Sequence, residues 1–246
     1  MTSLGAALRP RGPKVALCIG ISAYESPVTA LDNPRNDAGD VAAALQRVGY
    51  DIITLFDRAA TKKGMRQALE VFTSRLGSGG VAFFFFAGHG LTGLDGKNYL
   101  LPVNGVDYLE DLEDDALSLE RVNKELEGSG CLLHVVVADA CRSVPGLRAR
   151  SRAQQPRGLS VCTAAPAEVG SLLAYSCDIG KTASDGEGRN GTFTSALLNH
   201  LTTPALHVET VFTRTARDCQ EATKHEKEPQ RPWKSANLTH EHVCLF

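Results

Sequence analysis

The chain has 246 residues, 43% of them hydrophobic, and 26 Lys and Arg against 28 Asp and Glu give a formal net charge of −2. That length supports a substantial core in one large domain or two small ones, and the near balance of charge gives no reason to expect nucleic acid or an anionic membrane as a partner. No apolar run approaches the roughly 18 residues of a membrane span, and seven scattered cysteines with no C-x-x-C pair argue for reduced thiols in an intracellular, cytoplasmic setting and against structural zinc.

Residues 1–13 carry arginines but no apolar centre, and read as a flexible arm rather than a secretory signal. Residues 14–21, Lys-Val-Ala-Leu-Cys-Ile-Gly-Ile, read as a first buried strand. A loop over 22–35 follows, with Pro27 and Pro34 as breakers. Helical spacing starts at Asn36, with Asn36 or Asp37 placed to cap it and Val41, Ala44, Leu45 and Val48 as its apolar stripe. Residues 50–56 form a second strand, and Thr61 caps a helix carrying Met65, Leu69, Phe72 and Leu76. The glycine-bearing stretch 77–80 closes that helix and feeds a Phe-rich strand that ends at His89. A loop over 91–98 and a short strand over 99–103 come next.

Glu110, Asp111, Glu113, Asp114 and Asp115 form an acidic cluster ahead of a helix over 117–126, where negative charge suits the macrodipole. A second apolar strand, Val135-Val136-Val137-Ala138-Asp139-Ala140, ends at Cys141. Residues 145–158 hold four arginines among Gly, Pro, Ser and Gln and read as a mobile basic loop. The rest is a strand over 170–176, a helix capped by Thr192 or Thr194, a helix over 208–223 and a last short strand near 235–238.

Strands alternating with helices imply a parallel sheet covered on both faces. Continuous apolar runs such as those before His89 and Cys141 are strands buried on both sides. Groups at the carboxyl ends of such strands share the edge where open α/β sheets place their sites. A Cys and a His meeting there make a thiol nucleophile and its base. The backbone N–H groups of Cys141 and Gly90 are the candidate oxyanion donors. Asp139 needs a reason of its own, because a carboxylate on an apolar strand is costly. A phosphate-loop reading of Gly96-Lys97-Asn98 fails for want of the earlier Gly and of Ser or Thr after the Lys. Cys18, Cys131 and His134 read as structural.

Gly88-His89-Gly90 after an apolar strand, with Asp139-Ala140-Cys141-Arg142-Ser143 placing the Cys 52 residues after the His, resembles the caspase signature. Asp139 stands where caspases have Gln, and Ser143 where they have Gly. Those changes, together with Ser176-Cys177-Asp178 and Thr182-Ala183-Ser184-Asp185, are similar to metacaspase, paracaspase and orthocaspase members, which cut after Arg or Lys. The resemblance spans roughly residues 14–238. It implies an α/β, caspase-like three-layer sandwich, with a mostly parallel central sheet of about six strands and helices on both faces. Residues 14–144 would form a large-subunit-like region, 145–158 the linker, and 159–246 a small-subunit-like region completing the same domain.

The activity the resemblance implies is that of a cysteine endopeptidase whose acidic pocket selects Arg or Lys, with Arg better suited to bidentate contacts. Asp139 is the first pocket acid. Asp37 falls where the relatives place a second, and Asp185, less readily Asp178, is available as a third. Arg148, Arg150, Arg152 and Arg157 are candidate self-cleavage positions in the linker. Many metacaspases are activated by calcium through clustered aspartates, and Asp114 and Asp115 fall where a paired acidic motif occurs in them. The matching aspartate after the catalytic Cys is missing, so no cofactor is expected and calcium activation is not favoured. The expected partners are peptides and proteins with Arg or Lys before the scissile bond, with neither nucleic acid nor membrane. Monomer and homodimer both remain open, since caspases and paracaspases dimerise through the last strand and metacaspases tend to be monomers. The rival readings are a catalytically silent caspase-like signalling module and a different Cys-His hydrolase, neither of which needs Asp37 together with Asp139.

Overall fold

Alternate side chains of an extended strand point to opposite faces, so four consecutive phenylalanines require apolar cover on both sides of a sheet. Phe83 and Phe85 are fully buried in one core with Val41, Leu45, Leu197 and Val211. Phe84 and Phe86 are fully buried in a second core with Met65, Phe72, Val122 and Leu126. The two cores are the two faces of one central sheet. The computed structural model describes residues 8–141, 159, 170–177, 188–240 and 242–246. Asp178, Asp185, Arg148, Arg150, Arg152 and Arg157 lie outside the described residues.

In chain order the elements are β1 (Lys14–Gly20), α1 (Pro34–Arg47), β2 (Asp51–Phe56), α2 (Lys62–Ser74), β3 (Val81–Thr92), β4 (Asn98–Leu100), α3 (Leu112–Asp115) and β5 (Leu117–Ser118). They continue with α4 (Leu119–Glu127), β6 (Leu133–Cys141), β7 (Gly170–Tyr175), α5 (Thr192–Leu201), α6 (Val208–Ala222) and β8 (Trp233–Leu238). The central sheet has the order β2-β1-β3-β6-β7-β8. All neighbours are parallel except β8, which runs antiparallel to β7. Helices α1, α5 and α6 cover one face, and α2 and α4 the other. This is the expected three-layer sandwich with six strands in its main sheet.

Several local expectations shift for identifiable reasons. Helix α1 starts at Pro34, whose fixed φ and missing N–H suit a first helical position. Pro34 therefore opens a helix instead of breaking the chain, and Asn36 and Asp37 lie inside its first turn rather than capping it. Strand β3 runs past His89 to Thr92 and pairs with β4 through Gly90↔Leu100, Leu91↔Tyr99 and Thr92↔Asn98. Buried strand pairing thus replaces part of the loop expected over 91–98. The acidic cluster forms a short 3-10 turn and α3, while the main helix, α4, is capped by Ser118 accepting from the Arg121 N–H. Thr61 caps α2 as expected, accepting from the Gly64 N–H at 3.1 Å. Gly191, not Thr192 or Thr194, is the cap residue of α5.

One irregularity in β3 bears on the site. Ala87 packs with the α1–α5 core and Leu91 with the α2–α4 core, although both have odd numbers and a regular strand would keep them on one face. Between them Gly88 has φ +155°, and a Cβ there would lie 2.4 Å from the Tyr24 hydroxyl oxygen. A glycine is needed at this position, because a side chain would collide with Tyr24 and Phe86.

Candidate active site

Strands β3 and β6 are adjacent and parallel, in register from Val81↔Leu133 to His89↔Cys141. Residues 52 apart in sequence therefore end on the same rung, about 4.8 Å between strands. His89 is 1% exposed. Its backbone N–H donates to the Tyr24 hydroxyl at 2.8 Å, and that hydroxyl donates in turn to the Leu101 carbonyl at 3.4 Å. The Tyr24 and His89 rings lie 4.7 Å apart between centroids. The His89 Nε2 is 2.8 Å from the Thr29 carbonyl oxygen. A carbonyl only accepts, so Nε2 carries the hydrogen and the lone pair of the neutral ring is on Nδ1.

Gly90 follows on the same strand. Leu101 N–H donates to the His89 carbonyl at 3.0 Å and Gly93 N–H to the Lys97 carbonyl at 2.8 Å. Bonded pairs alternate in an antiparallel ladder, so Gly90 falls on a non-bonded rung and its N–H turns away from β4. A Cβ on Gly90 would lie 3.1 Å from the Ala140 Cβ and 3.3 Å from Leu159 Cδ2. The bare backbone lets these close approaches occur.

The acids Asp37 and Asp139 come together from α1 and β6. Asp139 shares the parity of Val135 and Val137, which face α1, α5 and α6. Its Oδ2 accepts from the Thr194 hydroxyl of α5 at 2.6 Å. Asp37 is 3% exposed, and its Oδ1 accepts from the Gly191 N–H at 3.0 Å. A Cβ built on Gly191 would be 3.3 Å from Asp37 Oδ2 and 3.8 Å from Asp139 Oδ2, so the two carboxylates flank one point. Burial, then the negative charge of Asp139, push the Asp37 carboxyl up to about 8, against the hydrogen bonds from Asn190 and Gly191.

The segment leading into α5 is fastened to α1 by a second acid. Arg189 donates to both oxygens of Asp40, at 2.9 and 3.1 Å, and Asn190 Nδ2 donates to Asp40 at 3.0 Å. The Asn36 amide donates to the Arg189 carbonyl at 3.2 Å. Hydrogen bonding from Arg189 holds the Asp40 carboxyl below its ordinary range.

The remaining predicted positions fall elsewhere. Asp114 and Asp115 are in α3, away from the dyad. Asp114 lines a cleft of about 790 Å³ in which Glu113, Glu120 and Glu125 stand among Lys62, Arg66, Lys97, Arg121 and Lys124. Among the described residues no group of three or more His, Cys, Asp or Glu is arranged to hold a metal ion. Cys18 and Cys131 are buried, with their thiols pushed upward by burial. His134 is also buried, which lowers its imidazole to about 4. All three are in the structural roles the sequence suggested.

Tyr24, Thr29, Gly191 and Thr194 were not singled out from the sequence. Tyr24 and Thr29 lie in a stretch read as loop, and Thr194 was read as a cap. The one signal available was the apolar-strand carboxylate at Asp139, which requires some buried donor.

A parallel sheet with a Cys and a His at one rung, and two acids beside them, has the architecture of a caspase-like cysteine peptidase domain. The comparisons agree: the caspase domain matches residues 13–243, and the chain belongs to that family of cysteine-type peptidases. In fold it is similar to the crystal structure of protein GSU0716 from Geobacter sulfurreducens, with a TM-score of 0.66 and 19% identity over 93% of this chain and 95% of that one. A comparison with curated proteins finds no match. Among the described residues no helix is long and apolar enough to cross a membrane.

Proposed function

We propose that this chain is a cysteine endopeptidase that cleaves after Arg, and less readily after Lys, by means of Cys141 and His89. The observation that carries the reading is the meeting of Asp37 and Asp139 around the point that the absent Gly191 side chain leaves unfilled, held by Gly191 and Thr194, at the sheet edge where the pairing of β3 with β6 ends. Two carboxylates facing a common space favour a guanidinium, which can donate to both in a planar fork. They repel the carboxylate of an Asp side chain.

The chemistry follows from the imidazole tautomer. Nδ1 of His89, bearing the lone pair, takes the Cys141 proton, and the thiolate attacks the carbonyl carbon of the Arg residue. The oxyanion that forms is met by the backbone N–H groups of Gly90 and Cys141. The proton on His89 then passes to the departing amine as the C–N bond breaks. Water, deprotonated by the same imidazole, hydrolyses the thioester and frees the thiol. The Thr29 carbonyl holds the ring, and the Tyr24 hydroxyl the backbone N–H of His89, during both halves.

No step requires a cofactor, and turnover should be indifferent to calcium. Arg148, Arg150, Arg152 and Arg157 supply self-substrates of the same chemistry in the linker. The partners are peptides and proteins bearing Arg or Lys before the cut. The test is turnover of paired Arg-ending and Asp-ending fluorogenic peptides by wild type and Cys141→Ala. Turnover of the Arg peptide alone, abolished in the variant, is expected. Equal turnover of both peptides, or activity surviving in Cys141→Ala, overturns the reading.

A further inference from the structure

Gly191 has a backbone that any residue adopts, with φ −59° and ψ 155°. Its lack of a side chain is therefore not explained by conformation. It stands at the cap of α5, a position where Ser, Thr, Asp or Asn would accept from the first helical N–H groups. No side-chain cap is made there. Residue 191 thus forgoes a stabilising cap, and the geometry gives a reason. The missing Cβ would sit 3.3 Å from one pocket carboxylate oxygen and 3.8 Å from the other, and among the described residues beyond its chain neighbours these are the heavy atoms within 4 Å of it.

We propose that Gly191 is a specificity-determining residue, whose missing side chain leaves the wedge between Asp37 and Asp139 open for the flat guanidinium of a substrate Arg. This rests on the acidic-pocket reading above. A donor that touches both carboxylates must approach within about 3 Å of each, which is the region a methyl at 191 would border. The Gly191 N–H already binds Asp37 from the protein side, so the entering cation and the residue-191 side chain compete for the same approach. The clasp of Arg189 and Asn190 on Asp40 keeps the 191 backbone in place while the pocket is empty. An ammonium is smaller and makes point contacts, so filling the wedge should penalise Arg more than Lys.

The experiment uses the full chain with Cys141→Ala, and a fluorescent peptide ending in Arg, followed by anisotropy. Gly191→Ala and Gly191→Ser are compared with this parent. Both should weaken Arg-peptide binding about tenfold or more, since a single added carbon in a fitted pocket changes recognition by about 10–200-fold. In the active chain the same substitutions should raise KM for Arg more than for Lys and leave kcat within about twofold. The Ser variant separates occlusion from capping, because Ser restores a good cap and keeps the helix start intact. Unchanged binding in both variants overturns the proposal. Weakening in Ala alone, with Ser equal to the parent, also overturns it, by assigning the effect to the helix cap. A parent that fails to bind the Arg peptide refutes the acidic-pocket reading itself, and this inference with it.

Discussion

Replacing Asp37 by Asn should make the protein more stable at alkaline pH and leave it nearly unchanged at acidic pH. The Asp37 carboxyl is raised from 3.8 to about 8, first by burial and then by the Asp139 charge. In the unfolded chain it ionises near its ordinary value. Between these two values the folded protein holds a proton that the unfolded chain has lost, so stability falls as pH rises through this window. At about 1.4 kcal/mol for each tenfold, the full separation corresponds to roughly 6 kcal/mol, and water reaching the pair reduces this to the order of 2–4 kcal/mol. Asn keeps the carbonyl oxygen that accepts from Gly191 and turns an N–H toward Asp139, so the neutral amide imitates the protonated acid. For a chain of this size each kcal/mol moves Tm by about 2–4 °C. The Tm of Asp37→Asn minus that of wild type should therefore rise from near zero at about pH 5 to about 5–10 °C at about pH 9. Taking the difference cancels the titrating groups that do not interact with Asp37. A difference that stays flat with pH, or in which the variant is the less stable at alkaline pH, refutes the reasoning. The same variant should lose most Arg-peptide turnover, because an amide at position 37 cannot ionise against an entering guanidinium.

Tyr24→Phe removes the acceptor for the buried His89 N–H and should cost about 1–3 kcal/mol of stability, with a fall in kcat larger than any change in KM in steady-state assays. Thr194→Val deletes the 2.6 Å donor to Asp139; charge-assisted bonds of this kind are worth about 1.5–3 kcal/mol, and KM for Arg peptides should rise while kcat holds. Asp114→Asn, and wild type assayed in EGTA, should both retain full turnover; a rise of activity on adding calcium that Asp114→Asn abolishes would overturn that expectation.

The sheet, and the rung shared by His89 and Cys141, were legible because their signals are strong and local. Four consecutive phenylalanines and a Val-rich run can only be strands covered on both faces, and each stops at a reactive side chain. Asp139 was legible for the converse reason, as a charge on an apolar strand. Asp37 was placed only through resemblance, and its first local reading, a helix cap, gave way to a buried position because Pro34 starts the helix earlier. Tyr24, Thr29, Gly191 and Thr194 were not legible at all. Their roles come from contacts across 55 to 154 residues, Thr194 to Asp139, Thr29 and Tyr24 to His89, and Gly191 to Asp37. Nothing in the spacing of a loop or a helix start encodes which distant strand it will meet.

The sheet itself divides the labour of the site. Parity sends Asp139 to the side covered by α1 and α5, so its neighbours had to be residues of those helices, Asp37 and Thr194 among them. His89 packs its ring against Tyr24, which belongs to the opposite core. On the proposed function, recognition of a cationic side chain and orientation of the base would therefore be supported from different faces. Substitutions beneath Asp139 should act on KM, and those around His89 on kcat. The double variant Tyr24→Phe with Thr194→Val tests this directly. Its loss of kcat/KM, expressed as free energy, should equal the sum of the single losses to within about 0.5 kcal/mol, as for sites without shared partners. A coupling larger than about 1 kcal/mol would mean that the two faces act as one network and that the division drawn from strand parity is wrong.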